Sequence, residues 1–171
     1  MYVVLNLGCG HDIKKSLPPN NHMVNVDVVN LPGVDIVHDL NSFPYPFDDS
    51  SIDRILMNNI LEHLDNPIAV LQECWRIMLK NAECRIRVVY WNHKYSYSDP
   101  QHKHAFSEKY FDFFVKGRNP HYMKNHFDKV KIDWIFDKKA KKQFGKDPEI
   151  LLTVGYWTCN VIQGMEVTLI K

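Results

Sequence analysis

A chain of 171 residues, 45% hydrophobic and 24% charged, can bury a core without disulfide or metal staples, and its composition excludes global disorder. The formal net charge of +1 gives no whole-chain footprint for nucleic acid or a membrane surface, and no apolar run approaches the ~20 residues of a membrane span. Cys9, Cys74, Cys84 and Cys159 lack CxxC or paired spacing, which argues against a zinc knuckle or a disulfide framework and for free thiols. Tyr2-Val3-Val4-Leu5 runs straight into a glycine turn instead of forming a leader, so the expected location is cytoplasmic.

In chain order, Tyr2 to Leu7 reads as a strand ending in Gly8-Cys9-Gly10. Met23 to Val29 is a second strand, Val34 to His38 a third, and Ile52 to Met57 a fourth after the turn signal Phe47-Asp48-Asp49-Ser50-Ser51. Asn66-Pro67 opens a helix with Ile68, Leu71, Trp75, Ile77, Met78 and Leu79 on its apolar side. Its expected end is Lys80-Asn81, where Asn can adopt a left-handed cap. Cys84 to Tyr90 is a fifth strand, Ser107 to Val115 a helix, Val130 to Phe136 a strand and Met165 to Ile170 a closing strand. Between the last two, Asp137 to Gly164 gives the weakest signal, with Ile150 to Val154 a short strand or helix. Alternation of strands and crossovers predicts an α/β fold with a mostly parallel sheet. Only Asp12 to His22 separate the first two strands, and Pro18-Pro19 lies among them, so the first crossover helix is reduced or absent. No repeat or linker divides the chain, and residues 1–171 are read as one domain.

Parallel sheets bind ligands at the carboxyl ends of their strands. Gly8 and Gly10 allow a tight turn there and a ligand close against the backbone. Asp27, ending the second strand, can accept hydrogen bonds from the two hydroxyls of a ribose; Asp39, ending the third, can take an adenine amine. Each feature alone is an ordinary turn or cap. Together they line one nucleoside-sized cleft.

Residues 3 to 90 resemble a class I S-adenosylmethionine-dependent methyltransferase, most closely a small branch with a curtailed first crossover. The resemblance rests on Leu5-Asn6-Leu7-Gly8-Cys9-Gly10, Val24-Asn25-Val26-Asp27, Gly33-Val34-Asp35-Ile36-Val37-His38-Asp39-Leu40 and Phe43-Pro44-Tyr45-Pro46-Phe47-Asp48-Asp49-Ser50-Ser51-Ile52-Asp53. Leu61-Glu62-His63-Leu64 and Leu71-Gln72-Glu73-Cys74-Trp75-Arg76-Ile77-Met78 supply the next two blocks. It implies a Rossmann-like sheet with an antiparallel C-terminal strand, and S-adenosylmethionine as cofactor. By the same resemblance Gly8, Cys9 and Gly10, with Asn6 in the place of an acid, pass under the methionine part. Asp27 holds the ribose, Asp39 and Leu40 meet the adenine, and Asn58 and Asn59 border the sulfonium. Glu62 and His63 sit near the cleft. The chain departs from the family at Asn6, at Asp12 in the place of a third glycine, and at Lys80-Asn81-Ala82-Glu83 in the place of Pro-Gly-Gly.

Methyl transfer from a sulfonium is an in-line displacement, and an oxygen acceptor usually needs a base. The segment Asp99-Pro100-Gln101-His102 to Phe106 resembles a loop laid over the acceptor. His102 is the leading candidate base, with His104, His63 and His93 behind it; a capping or loop role is the competing reading. His93, His102 and His104 match no closed metal site, and no metal is expected. Trp91, Tyr95 and Tyr97, or Tyr110, Phe111, Phe113 and Phe114, are candidate pocket aromatics, the second group equally a buried helix face. The expected activity is methyl transfer to a small-molecule or glycan acceptor. A fold-retaining binding protein without the chemistry is the alternative, favoured by the changes at Asn6 and Asp12; a nicotinamide-dependent oxidoreductase lacks a GxGxxG. A nucleic-acid acceptor has only the basic stretch Lys138 to Lys146 behind it, which otherwise reads as a solvated face. Any lid must come from residues 91–126 or 137–164, leaving the cleft open or completed by a second subunit.

Overall fold

The computed structural model describes residues 2–15, 21–118 and 121–171. Seven strands, β1 (Tyr2–Leu7), β2 (Asn21–Asp27), β3 (Ile36–Val37), β4 (Ile52–Asn58), β5 (Met78–Val89), β6 (Lys129–Phe136) and β7 (Ile162–Ile170), form one sheet in the order β3-β2-β1-β4-β5-β7-β6. The first five are mutually parallel, while β7 runs antiparallel to both β5 and β6. The chain steps outward from β1 to β3 and then returns to place β4 on the other side of β1. That reversal opens a crevice at the carboxyl ends of β1 and β4. The expected Rossmann-like sheet with antiparallel C-terminal strands is the one observed.

Five helices accompany the sheet among the described residues: α1 (Pro67–Ile77), α2 (Tyr95–Ser98), α3 (Glu108–Asp112), α4 (Lys138–Phe144) and α5 (Pro148–Trp157). Residues 12–15 form no regular structure, in line with a lost crossover helix; Pro18-Pro19 lies outside the described residues. Asn66 caps α1 by accepting the Ala69 N–H at 3.1 Å, and Pro67 occupies the first turn. The helix stops at Ile77, before the expected Lys80-Asn81. Met78 leaves it in extended geometry and enters the sheet beside Ile52. Ile77 and Met78 are both fully buried, Ile77 on the apolar face of the helix and Met78 as the first residue of the strand. Asn81 does adopt the left-handed conformation, φ 63°, but within β5, where the register jumps between Ile52 and Arg54.

Other bounds shift with burial. Val28 and Val29, expected at the end of β2, lie beyond it and are exposed. The expected helix Ser107 to Val115 is confined to Glu108–Asp112. Asp137 to Gly164 forms α4, α5 and the start of β7, capped by Asp137 on the Lys139 and Ala140 N–H groups and by Asp147 on the Glu149 N–H. Ile150 to Val154 is helical.

The two faces of the sheet differ. Leu5, Leu7, Val26, Ile55, Met57, Cys84, Ile86, Val88, Met165, Val167 and Leu169 are buried on one face, joined in the core by Val70, Leu71, Cys74 and Ile77 of α1 and by Phe111, Phe114 and Phe127. The alternate positions on β4 to β7 are charged and at least partly exposed: Arg54, Glu83, Arg85, Arg87, Glu166, Lys131 and Asp133. Glu83 accepts ion pairs from Arg54 and Arg85, each at 3.1 Å. No helix among the described residues is long and apolar enough to cross a membrane.

Candidate functional site

At the end of β1 the Gly8 and Cys9 N–H groups both donate to the Val26 carbonyl, at 2.9 and 3.1 Å. This tight turn needs left-handed backbone at Gly8 (φ 65°) and Gly10 (φ 47°). Asp27 fixes it from the neighbouring strand. Its Oδ2 accepts the Gly10 N–H at 2.7 Å and its Oδ1 the Val29 N–H at 3.0 Å. The carboxylate, 9% exposed, therefore keeps an accepting position on each oxygen. It borders a cavity of about 190 Å³ together with Gly8, Asp39, Leu40, Ile60 and His63. The Tyr45 hydroxyl holds the Leu40 carbonyl at 2.9 Å, and Asp39 caps its own turn through the Asn41 N–H. Two open acceptors, an apolar wall and a side-chain-free turn fit an adenosyl group.

Asn6 lines neither this cavity nor the larger one beside it. It is 1% exposed, and its Nδ2 donates to the Asp12 carbonyl at 2.8 Å and to Asn25 Oδ1 at 3.0 Å. Asn25 in turn accepts the Lys14 N–H and donates to the Lys14 carbonyl. The Asp12 side chain pairs with Lys14 at 2.7 Å and accepts from Asn58 Nδ2 at 3.2 Å. The Lys14 ammonium holds the Asp12 carboxyl below its ordinary value. Both departures from the glycine motif thus belong to one hydrogen-bonded loop that lies where a crossover helix would.

The larger cavity, about 550 Å³, adjoins the first, and His63 lines both. Glu62, Asn59, Arg87, Tyr95, Asp99, His102 and Gly164 also line it. The His63 and His102 rings meet edge to face with centroids 4.7 Å apart. Burial first, and then His102, hold the His63 imidazole below its ordinary value, favouring its neutral form. His102 Nδ1 lies 3.2 Å from the Ser96 carbonyl. That contact makes Nδ1 the protonated nitrogen and leaves Nε2 as the acceptor. Glu62 is 1% exposed, and neither carboxylate oxygen has a hydrogen-bond partner. Burial pushes its carboxyl up. The Glu62 carbonyl accepts the Lys103 N–H at 2.8 Å and the His104 N–H at 3.3 Å, tying residues 99–104 against the site.

His104 lines neither cavity; its Nε2 meets the Leu64 carbonyl at 3.0 Å and anchors the loop. His93 is fully buried away from them, accepting the Tyr95 N–H at Nδ1. Its Nε2 lies 3.7 Å from Asp137. Asn59 reaches the larger cavity in left-handed conformation, φ 50°, while Asn58 holds Asp12. Cys9 is buried below the turn. Of the aromatic candidates Tyr95 lines the larger cavity, whereas Phe111 and Phe114 belong to the core. Lys138, Lys139, Lys141 and Lys142 lie on α4, and with Lys146 all are exposed. His93, His102 and His104 do not come together as a metal set. Ligand atoms of His63, Asp99 and His102 do lie within 4.8 Å of one another. The expected acceptor loop brings Asp99 to the cavity, whereas sequence reasoning missed Arg87 and Gly164, the latter carried to the site only by the β5–β7 pairing.

A family model described as "Methyltransferase domain" matches residues 5–86, just under half of the chain. No curated protein matches the sequence. Among solved structures, a SAM-dependent methyltransferase from Archaeoglobus fulgidus superposes with a TM-score of 0.68 at 18% identity, over 99% of this chain and 86% of the other. A Haemonchus contortus phosphoethanolamine N-methyltransferase 2, solved with phosphomonomethylethanolamine and S-adenosylhomocysteine, gives 0.68 at 12% identity; this chain is covered over 99% and spans 48% of that one. A Thermotoga maritima SAM-dependent methyltransferase, described as a possible histamine N-methyltransferase, gives 0.61 at 14% identity over 98% and 81%.

Proposed function

We propose that this class I S-adenosylmethionine-dependent methyltransferase works as a single cytoplasmic domain and methylates a small-molecule or glycan acceptor held in the larger cavity. The observation that carries the reading is His63, which lines both cavities and so sets a nucleoside-sized recess directly beside an acceptor-sized one. S-adenosylmethionine, when bound, supplies an electrophilic methyl on a sulfonium. Asp27 binds its ribose, Asp39 and Leu40 border its adenine, and the Gly8-Cys9-Gly10 turn admits its methionine part against bare backbone. Asn59 and His63 border the passage to the acceptor. His102 accepts the acceptor's proton at Nε2, with its ring aimed by the Ser96 carbonyl. Residues 99–104, fastened by Glu62 and by the His104 contact to Leu64, limit water on that side. The coupling of Asn6 to Asp12 supports an intact site over a decayed one, since both departures from the family motif have partners.

A thermal-shift titration with S-adenosylmethionine, S-adenosylhomocysteine and NAD tests the first half. Either adenosyl compound at 100 times its dissociation constant stabilises the fold by about 2.7 kcal/mol, and NAD does not; stabilisation by NAD alone overturns the reading. His102→Ala is expected to remove turnover and spare S-adenosylhomocysteine binding. Cofactor binding with no turnover in the unaltered protein, across small-molecule and glycan acceptor panels, identifies a binding protein instead.

A further inference from the structure

The Glu62 carboxylate is the most anomalous group in the molecule. It lines the larger cavity, is 1% exposed, and neither oxygen finds a donor among the described residues. A buried carboxylate in that state costs more than the Gln or Leu that would occupy the same volume. On the cavity wall, the His102 ring and the Val89 N–H act on it without offsetting its burial. The His63 and His102 rings make other contacts, and Arg87 reaches neither oxygen. The cavity also carries Asp99. The wall thus carries two acidic side chains, Glu62 and Asp99, against one guanidinium, Arg87.

On the reading of this cavity as the acceptor site, we infer that the acceptor is a basic amine whose ammonium form is held by Glu62. The amine supplies what the wall lacks, two or three N–H donors and a positive charge, at the end of the cavity next to His63. Reaction then proceeds from the deprotonated amine. One ammonium proton passes to His102 Nε2 and the nitrogen lone pair forms the new N–C bond. The C–S bond breaks with its electron pair kept by sulfur, and the products are a methylated ammonium and S-adenosylhomocysteine. A divalent cation on His63, Asp99 and His102 is the competing occupant. It is disfavoured because Glu62 is not part of that ligand set and would stay unpaired.

Matched probes test this on the full chain saturated with S-adenosylhomocysteine: benzylamine against benzyl alcohol, 2-phenylethylamine against 2-phenylethanol, and cyclohexylmethylamine against cyclohexylmethanol, titrated by ligand-observed NMR. The expected result is about tenfold or greater preference for each amine, lost in Glu62→Gln, with alcohol and S-adenosylhomocysteine affinities unchanged. Glu62→Gln is nearly isosteric, and an undiminished melting temperature certifies its fold. Equal binding within the pairs, amine binding indifferent to Glu62→Gln, or no binding of any probe overturns the inference. So does tight Zn²⁺ or Mn²⁺ binding that Asp99→Ala abolishes in the absence of amine preference. Failure of S-adenosylhomocysteine to bind, titrated separately, strikes the methyltransferase reading itself, while the amine preference can still be read without it.

Discussion

Replacing Glu62 by Gln is expected to stabilise the folded chain near neutral pH and to leave it unchanged in acid. Burial raises the Glu62 carboxyl above its unfolded value, so the native state binds its proton more tightly than the unfolded state does. The wild-type chain therefore has its full stability below the ordinary carboxylate range and loses some as pH rises through the native pKa. Glutamine has no charge to desolvate and escapes that loss. A carboxyl without a hydrogen-bond partner and this deeply buried implies a gain of about 1–3 kcal/mol on its removal. At roughly 2–4 °C per kcal/mol for a domain of this size, the melting temperature should rise by several degrees at pH 7.5.

The assay is thermal unfolding followed by circular dichroism, wild type against Glu62→Gln, from pH 4 to pH 8 without ligand. The difference should be largest at the alkaline end and shrink towards zero at pH 4. The other titratable or charged groups lining the same cavity, His63, Arg87, Tyr95, Asp99 and His102, are common to both proteins. A lower melting temperature for Glu62→Gln at pH 7.5, or a gain independent of pH, would refute the account of Glu62 as an unpaired buried charge.

Three further outcomes follow from the cofactor side of the site. Asp27→Ala removes the carboxylate that accepts Gly10 and Val29 as well as the ribose contacts; calorimetry should record at least about a hundredfold loss of S-adenosylhomocysteine affinity, two charge-assisted bonds at roughly 1.5–3 kcal/mol each. Gly8→Ala sets a Cβ 2.3 Å from Ile60 Cγ1 at φ 65° and should cost about 2–4 kcal/mol in urea unfolding, whereas Gly10→Ala, whose Cβ meets nothing within 4 Å, should cost only the roughly 1–2 kcal/mol of left-handed backbone. Asn6→Asp turns a buried donor into an acceptor facing the Asp12 carbonyl and Asn25 Oδ1; a loss of at least about 3 kcal/mol is expected, and unchanged stability would dissociate the loop from Asn6.

The grouping of Gly8, Asp27, Asp39 and Leu40 around one recess was legible because they sit at or just beyond strand ends, where a local pattern fixes both position and direction. Gly8, Asp27, Asp39 and Leu40 come together by parallel pairing alone. The acceptor half was read as residue types without geometry. His102 and His104 are two residues apart, yet one lines the cavity and the other anchors the loop to the Leu64 carbonyl; only the path of residues 99–104 separates them. Glu62 was visible beside His63, but its isolation depends on every side chain around it. The capping signals Asp137 and Asp147-Pro148-Glu149 were present in the least legible stretch, where the apolar pattern of Ile150 to Val154 suits strand and helix alike.

The shortened first crossover has consequences for the glycine turn. A helix there would normally press an apolar stripe against β1, β2 and β4 and set the height of the glycine turn. Here the turn is set by Asp27 from one side and by the Asn6–Asn25–Lys14 hydrogen bonds from the other. Polar groups can replace a packed stripe only if every donor meets an acceptor. Asn6 meets that requirement, its Nδ2 donating to both the Asp12 carbonyl and Asn25 Oδ1. On the sheet positions that alternate with the core, Arg54 pairs with Glu83 across β4 and β5, and Arg85 pairs with Glu83 along β5. Asn6 and Asp12 are therefore two ends of one hydrogen-bonded loop, and the recess at the strand ends lies beside it.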